Sequence, residues 1–200
     1  MTGMTAMIPY AEAGTNRLDT AYVKCFNLIP DDEWLCVLDH DVMFTRKDWH
    51  SVFERLLPQA EADGYGILTC TLSCTPCPDQ RVQDTVLRDR TGSSDLAEQW
   101  YIGSRMAEMP DKIEPVSGGI PAVSVISKRA AKECGVLELP WDKAFYGADT
   151  WLHGPIVDAG YKHGIVRSIY AYHRYNANID RGGRSHDRYY EELEAEMLQR

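Results

Sequence analysis

The sequence predicts an α/β fold, a single domain built on a mainly parallel sheet with helices on both faces. Three observations point there. Short apolar runs of strand length alternate with segments of helical spacing along most of the chain. The run Trp34-Leu35-Cys36-Val37-Leu38 is continuously apolar, as a strand buried on both faces is. The length of 200 residues suits one domain, large enough to bury a sizeable core without staples. Strands that alternate with helices imply parallel neighbours joined by crossovers.

The elements follow in order. Residues 5–9 form a short apolar strand that ends at Pro9-Tyr10. In residues 16–28, Leu18, Ala21, Tyr22, Cys25, Phe26 and Leu28 recur at helical spacing. Pro30-Asp31-Asp32 turns the chain into the strand 34–38. Asp48 caps a helix whose Trp49, Val52, Phe53, Leu56 and Leu57 share a face, with Pro58 bending or closing it. Gly64 leads into a strand over residues 65–71. Residues 72–94 are polar, rich in turn formers and without a sustained period, and so long a loop in a compact domain is usually functional or mobile. A helix is expected over 95–106 and a strand over 120–127, entered through Gly118-Gly119. Residues 128–134 form a short helix, and 150–158 another despite Pro155, stopped by Gly160. The last strand covers 164–172. The domain accordingly spans residues 1–180. Residues 181–200 comprise a flexible hinge at Arg181-Gly182-Gly183-Arg184 and a terminal helix over 186–199.

The composition, 44% hydrophobic and 26% charged, is that of an ordinary globular protein. A net charge of −9 argues against a protein that coats nucleic acid by bulk electrostatics. The charge is uneven, however. Lys162, Arg167, Arg174, Arg181, Arg184 and Arg188 stand against only Asp180 and Asp187, an end that can face phosphates or simply be a solvated surface. No run approaches the length of a membrane span, and the first seven residues lack a basic region and a long apolar stretch. The expectation is a cytoplasmic protein with no transmembrane segment.

Six cysteines without a secretory signal read as reduced thiols. Three cluster as Cys70-x3-Cys74-x2-Cys77. They are free thiols, ligands of a structural zinc, or the loop that holds three irons of a four-iron cluster in radical enzymes using S-adenosylmethionine, although Pro76 stands where those enzymes carry an aromatic.

The chemistry concentrates in Asp39-His40-Asp41, directly after the apolar strand. Ligands of open α/β sheets bind at the carboxyl ends of strands. Two carboxylates at i and i+2 are tolerated there when a positive group neutralises them, and hard oxygen ligands suit Mg²⁺ or Mn²⁺ carrying a nucleoside diphosphate. A polar turn in which both acids cap the next segment is the plain alternative.

Ile8-Pro9-Tyr10, Asn16, Ala21-Tyr22, Asp32-x-Trp34 and Leu38-Asp39-His40-Asp41-Val42-Met43-Phe44 resemble the opening of glycosyltransferases with the GT-A (Rossmann-like) fold, in particular a compact, family-two-like group of phages and bacteria. Later segments keep the family's order over residues 5–176. Gly118-Gly119 resembles the small-residue segment beneath the donor sugar. Gly147-Ala148-Asp149, with His153 four residues on, resembles the acidic motif that supplies the catalytic base, with Ala148 where the family has glutamate. Tyr170-Ala171-Tyr172-His173-Arg174-Tyr175 resembles the last strand, whose histidine completes metal coordination.

The resemblance implies a metal-dependent, hexosyltransferase-like enzyme that uses Mn²⁺ or Mg²⁺ and a nucleoside-diphosphate sugar, with UDP-sugar favoured. It implies Asp39, Asp41 and His173 at the metal and Asp149 as general base. Pro9, Tyr10, Asn16, Asp39, His40, Gly118, Gly119 and Arg174 would contact the donor. His173 also reads as an ordinary strand histidine, Tyr10 as a core-edge tyrosine, and Asp149 as the N-cap of the helix after it. Arg174, Arg181 and Arg184 can hold phosphates, with Gly182-Gly183 permitting closure and His186 in a lid. The acceptor is open: a glycan, a lipid-linked sugar, a protein or a modified DNA base. A nucleotidyltransferase or a non-catalytic nucleotide-sugar-binding protein on the same fold is the alternative.

Overall fold

The computed structural model describes residues 2–10, 18–75, 77–118, 122–138 and 148–174. Within them the chain runs β1 (Met4–Met7), α1 (Leu18–Leu28), β2 (Trp34–Leu38), β3 (Val42–Phe44), α2 (Trp49–Ala62), β4 (Tyr65–Leu72), α3 (Thr85–Arg88), α4 (Leu96–Met106), β5 (Glu114–Val116), β6 (Val123–Ser127), α5 (Lys128–Glu133), α6 (Ala148–Asp158) and β7 (Lys162–His173). The expected hinge and terminal helix, with Arg181, Arg184 and His186, lie outside the described residues.

All seven strands join one sheet in the order β1-β2-β6-β4-β7-β3, with β5 also beside β7. The α/β class is as the sequence predicts, but the sheet is mixed rather than mainly parallel. β1 pairs with β2 and β4 with β7 in parallel. β6 enters antiparallel between β2 and β4, and β3 and β5 pair antiparallel with β7. A parallel neighbour requires a crossover of a dozen or so residues. β3 follows β2 after only Asp39, His40 and Asp41, so it runs back.

Both short strands escape a reading by period. β3 is three residues long, and β5 contains Pro115, which cannot donate to a ladder and suits an edge. β7 serves both: its first part pairs with β5 and its last with β3, on either side of a register shift against β4 between Cys70 and Thr71.

Alternate strand residues separate two cores. Cys36, Leu68, Cys70, Val123 and Val125 pack with Val52, Phe53, Leu56 and Leu57 of α2. Leu35, Val37, Ile67 and Ile126 pack with Tyr22 and Phe26 of α1, Ala130 of α5, and Leu152 and Ile156 of α6. Helices thus cover both faces. Pro58 neither closes nor ends α2, which continues to Ala62. Asp48 precedes that helix but does not cap it with its side chain; its carboxylate takes a hydrogen bond from Arg46 at 2.7 Å. The polar stretch after β4 is less irregular than its composition suggests. It holds a 3₁₀ turn at Pro78–Gln80 and α3, and buried Gln80 donates to the Thr69 hydroxyl at 2.7 Å.

Candidate metal centre

β1, β2, β4 and β7 point the same way, so the carboxyl ends of β2 and β7 meet at one edge of the sheet. Asp39-His40-Asp41 connects β2 to β3 there. The Asp39 amide donates to the Ala122 carbonyl at 2.9 Å, and the Val42 amide returns to the Asp39 carbonyl at 3.3 Å, closing a tight turn. Arg174 donates its amide to the Asp41 carbonyl at 3.0 Å, tying that turn to the end of β7.

The consequence is a three-residue cluster. One ligand atom each from Asp39, Asp41 and His173 lies within 4.8 Å of the others, the only such group of three or more among the described residues. Nε2 of His173 stands 3.3 Å from Oδ1 of Asp41 and 3.6 Å from Oδ2 of Asp39. The side chains of His173 and Asp41 are each 8% exposed, whereas that of Asp39 is 41% exposed and forms the open side. Burial alone would raise the Asp41 carboxyl, but the hydrogen bond from His173, its charge and that of His40 outweigh burial and hold it below its ordinary value.

The donor set fits a divalent cation. Nδ1 of His173 lies 3.3 Å from the Cys74 carbonyl, an oxygen that can only accept. Nδ1 therefore carries a proton, and Nε2, which donates to Asp41 here, is the nitrogen that would give up its proton and turn its lone pair to a cation held with the two carboxylates. Two carboxylates and one imidazole suit Mn²⁺, and the same oxygens suit Mg²⁺.

The other sequence-predicted residues fall at varying distance from this centre. Pro9 and Tyr10 follow β1; Tyr10 is 69% exposed, with its ring centroid 6.4 Å from that of His40. Tyr10 is thus a surface residue and not a core-edge one. Arg174 is exposed beside His173 and joins the centre through its backbone. Gly118 accepts a hydrogen bond from the Cys77 thiol at 3.1 Å, and a Cβ on it would meet nothing within 4 Å. Asp149 lies inside the first turn of α6 instead of preceding the helix. His153, one turn further on, is buried, with Nε2 3.1 Å from the Ser124 hydroxyl. Asn16 and Gly119 lie outside the described residues.

Cys70, Cys74 and Cys77 do not converge. Cys70 is fully buried in the α2-side core, where burial, together with the nearby Cys36, pushes its thiol well up. Cys77 turns to Gly118 instead. Neither an iron-binding loop nor a zinc site is assembled by these three, because β4 points Cys70 into the core.

Sequence reasoning missed Ser73. Its hydroxyl accepts from the His173 amide at 3.0 Å and donates to the His173 carbonyl at 3.4 Å. No local signal marks a serine whose partner is 100 residues away. No helix among the described residues is long and apolar enough to cross a membrane. No protein-family model matches the chain, and no curated protein matches it.

Proposed function

We propose that this chain is a metal-dependent glycosyltransferase that moves a sugar from a nucleoside-diphosphate sugar, UDP-sugar in preference, to a hydroxyl acceptor. The observation that carries the reading is the meeting of Asp39, Asp41 and His173 at the carboxyl ends of β2 and β7. In an α/β sheet this is where a phosphorylated ligand binds. The order of the motifs from Pro9 to Arg174, which resembles that of GT-A-fold glycosyltransferases, supports the same conclusion.

In this reading Asp41 and His173 bind Mn²⁺ or Mg²⁺, and Asp39 binds the cation or the nucleotide. The chemistry such an ion supplies when bound is neutralisation of the departing diphosphate. Tyr10 and His40 flank the nucleoside, Gly118 and Gly119 let backbone approach the sugar, Asn16 contributes to donor binding, and Arg174 faces the phosphates. Asp149 takes the proton of the acceptor hydroxyl as general base.

Incubation with a panel of nucleotide-sugars and Mn²⁺ tests the proposal. Release of a nucleoside diphosphate, with the sugar transferred to an added acceptor or to water, is the expected result. Pyrophosphate release from a nucleoside triphosphate would instead assign a nucleotidyltransferase. Donor binding without turnover would leave a binding protein.

A further inference from the structure

The segment after β4 wraps the back of the metal centre. Ser73 clasps the backbone of His173 at both its amide and its carbonyl, at 3.0 and 3.4 Å. The next residue, Cys74, receives Nδ1 of the same histidine on its carbonyl at 3.3 Å. Ser73 is itself secured to the sheet, its amide donating to the Ala171 carbonyl at 3.1 Å. Thr75 is buried and donates to Gln80, which is anchored on Thr69 of β4. One short strap thus fixes the main chain of His173, its ring tautomer and its ring direction.

We propose that Ser73 is the positioning residue of the cation site and a determinant of its affinity. The inference rests on the metal-centre reading above and goes beyond it, because the Ser73 hydroxyl acts through the His173 backbone and is not one of the three ligands. Two consecutive strap residues act on one histidine in different ways. The Ser73 hydroxyl holds the place of the main chain, and through it keeps the Cys74 carbonyl in line with Nδ1. Loss of the hydroxyl leaves the three ligands in the sequence but lets the ring turn, so that Nε2 no longer faces the Asp39 and Asp41 oxygens together. Partners behind a metal ligand ordinarily change affinity by about 10–100-fold.

The test is titration of Mn²⁺ into the full chain, followed by the paramagnetic resonance signal of the free ion. Wild type, Ser73→Ala, Ser73→Thr and Asp41→Ala are compared, with thermal unfolding measured in metal-free buffer. Wild type is expected to bind one ion and Asp41→Ala none. Ser73→Ala should bind about 10–100-fold more weakly while still unfolding cooperatively. Ser73→Thr, which keeps the hydroxyl, should restore most of the affinity. Wild-type affinity in Ser73→Ala, or equal weakening in the Ala and Thr variants, overturns the inference and leaves the metal centre standing. A wild-type chain that takes up no Mn²⁺ overturns the metal centre, and the inference with it. A second readout needs no variant to fold: with Mg²⁺ bound, nitrogen-15 resonance of the wild-type imidazole should show Nδ1 protonated and Nε2 without a proton. The opposite tautomer would overturn the role assigned to the strap.

Discussion

His173 stands opposite Val42 in the antiparallel pairing of β3 with β7. That register, and not a flexible loop, brings the imidazole to Asp41. Successive strand residues point to opposite faces, so a slip of one residue would carry His173 away from both carboxylates. The amide of Arg174 on the Asp41 carbonyl and the hydroxyl of Ser73 on His173 fix the same end of β7 from two directions.

Asp41→Ala is therefore expected to remove divalent-cation binding while the fold persists. The β3–β7 pairing uses the Asp41 backbone, which alanine keeps. The side chain lost is one that His173 contacts at 3.3 Å, and breaking such a contact costs about 1–3 kcal/mol. Isothermal titration with Mn²⁺, beside circular dichroism, reads both quantities. An affinity equal to wild type would remove Asp41 from the ligand set.

Asp149→Asn addresses the general base proposed above. Asparagine keeps the size of the side chain but cannot accept the acceptor's proton at neutral pH. Donor binding should be retained and transfer reduced by about 10²–10⁴-fold. Full transfer by the variant would leave Asp149 a residue of the first turn of α6 and nothing more.

The parts of this site legible in the sequence are those whose signal is local. Asp39-His40-Asp41 is recognisable because a five-residue apolar strand precedes it, buried as expected from Trp34 to Val37 with Leu38 half-buried. His173 is reached only through the resemblance of the motif order to that of GT-A-fold glycosyltransferases, since no spacing rule connects it to Asp41. Sheet direction is not legible in the sequence because helix–strand alternation says nothing of β6, whose neighbours β2 and β4 come from distant parts of the chain. The cysteine spacing leaves free thiols, zinc and a cluster open for a related reason: it does not show that Cys70 belongs to a buried strand and Cys74 to the strap beyond it. Ser73 carries no mark of its own.

Gly103 of α4 offers a test of packing behind the site. A Cβ built there would lie 2.0 Å from Oγ1 and 2.5 Å from Cβ of Thr45, which is buried and donates its hydroxyl to the Tyr170 carbonyl. Helix propensity favours alanine by about 1 kcal/mol. Overpacking costs about 1–3 kcal/mol and here also disturbs that hydrogen bond, so the clash outweighs the propensity. Gly103→Ala should lower the urea midpoint by the equivalent of about 1–2 kcal/mol. A midpoint at or above wild type would show that Thr45 yields at no greater cost than the gain in helix propensity.

Acid should destabilise the protein partly through His163. The residue is 4% exposed on β7, with its Nε2 buried and without a hydrogen-bond partner. Burial lowers its pKa from 6.5 to about 4, against a smaller opposing pull from Asp79. The unfolded chain thus takes a proton on this ring at a higher pH than the folded one. Its contribution is fully present above about pH 6.5 and is lost as the pH falls towards 4, up to about 3 kcal/mol. His163→Leu removes the titration and the unsatisfied nitrogen together, at similar volume. Its urea midpoint at pH 7 should stay near wild type and should fall less between pH 6.5 and 4. Every other titrating group is common to the two chains, and the ring packed against His163 is that of His153, 5.5 Å away, so the difference between the pH curves reports His163 together with its effect on His153. Parallel curves would mean that the folded protein protonates this ring as readily as the unfolded chain does, through water or a shift of α6 away from β7.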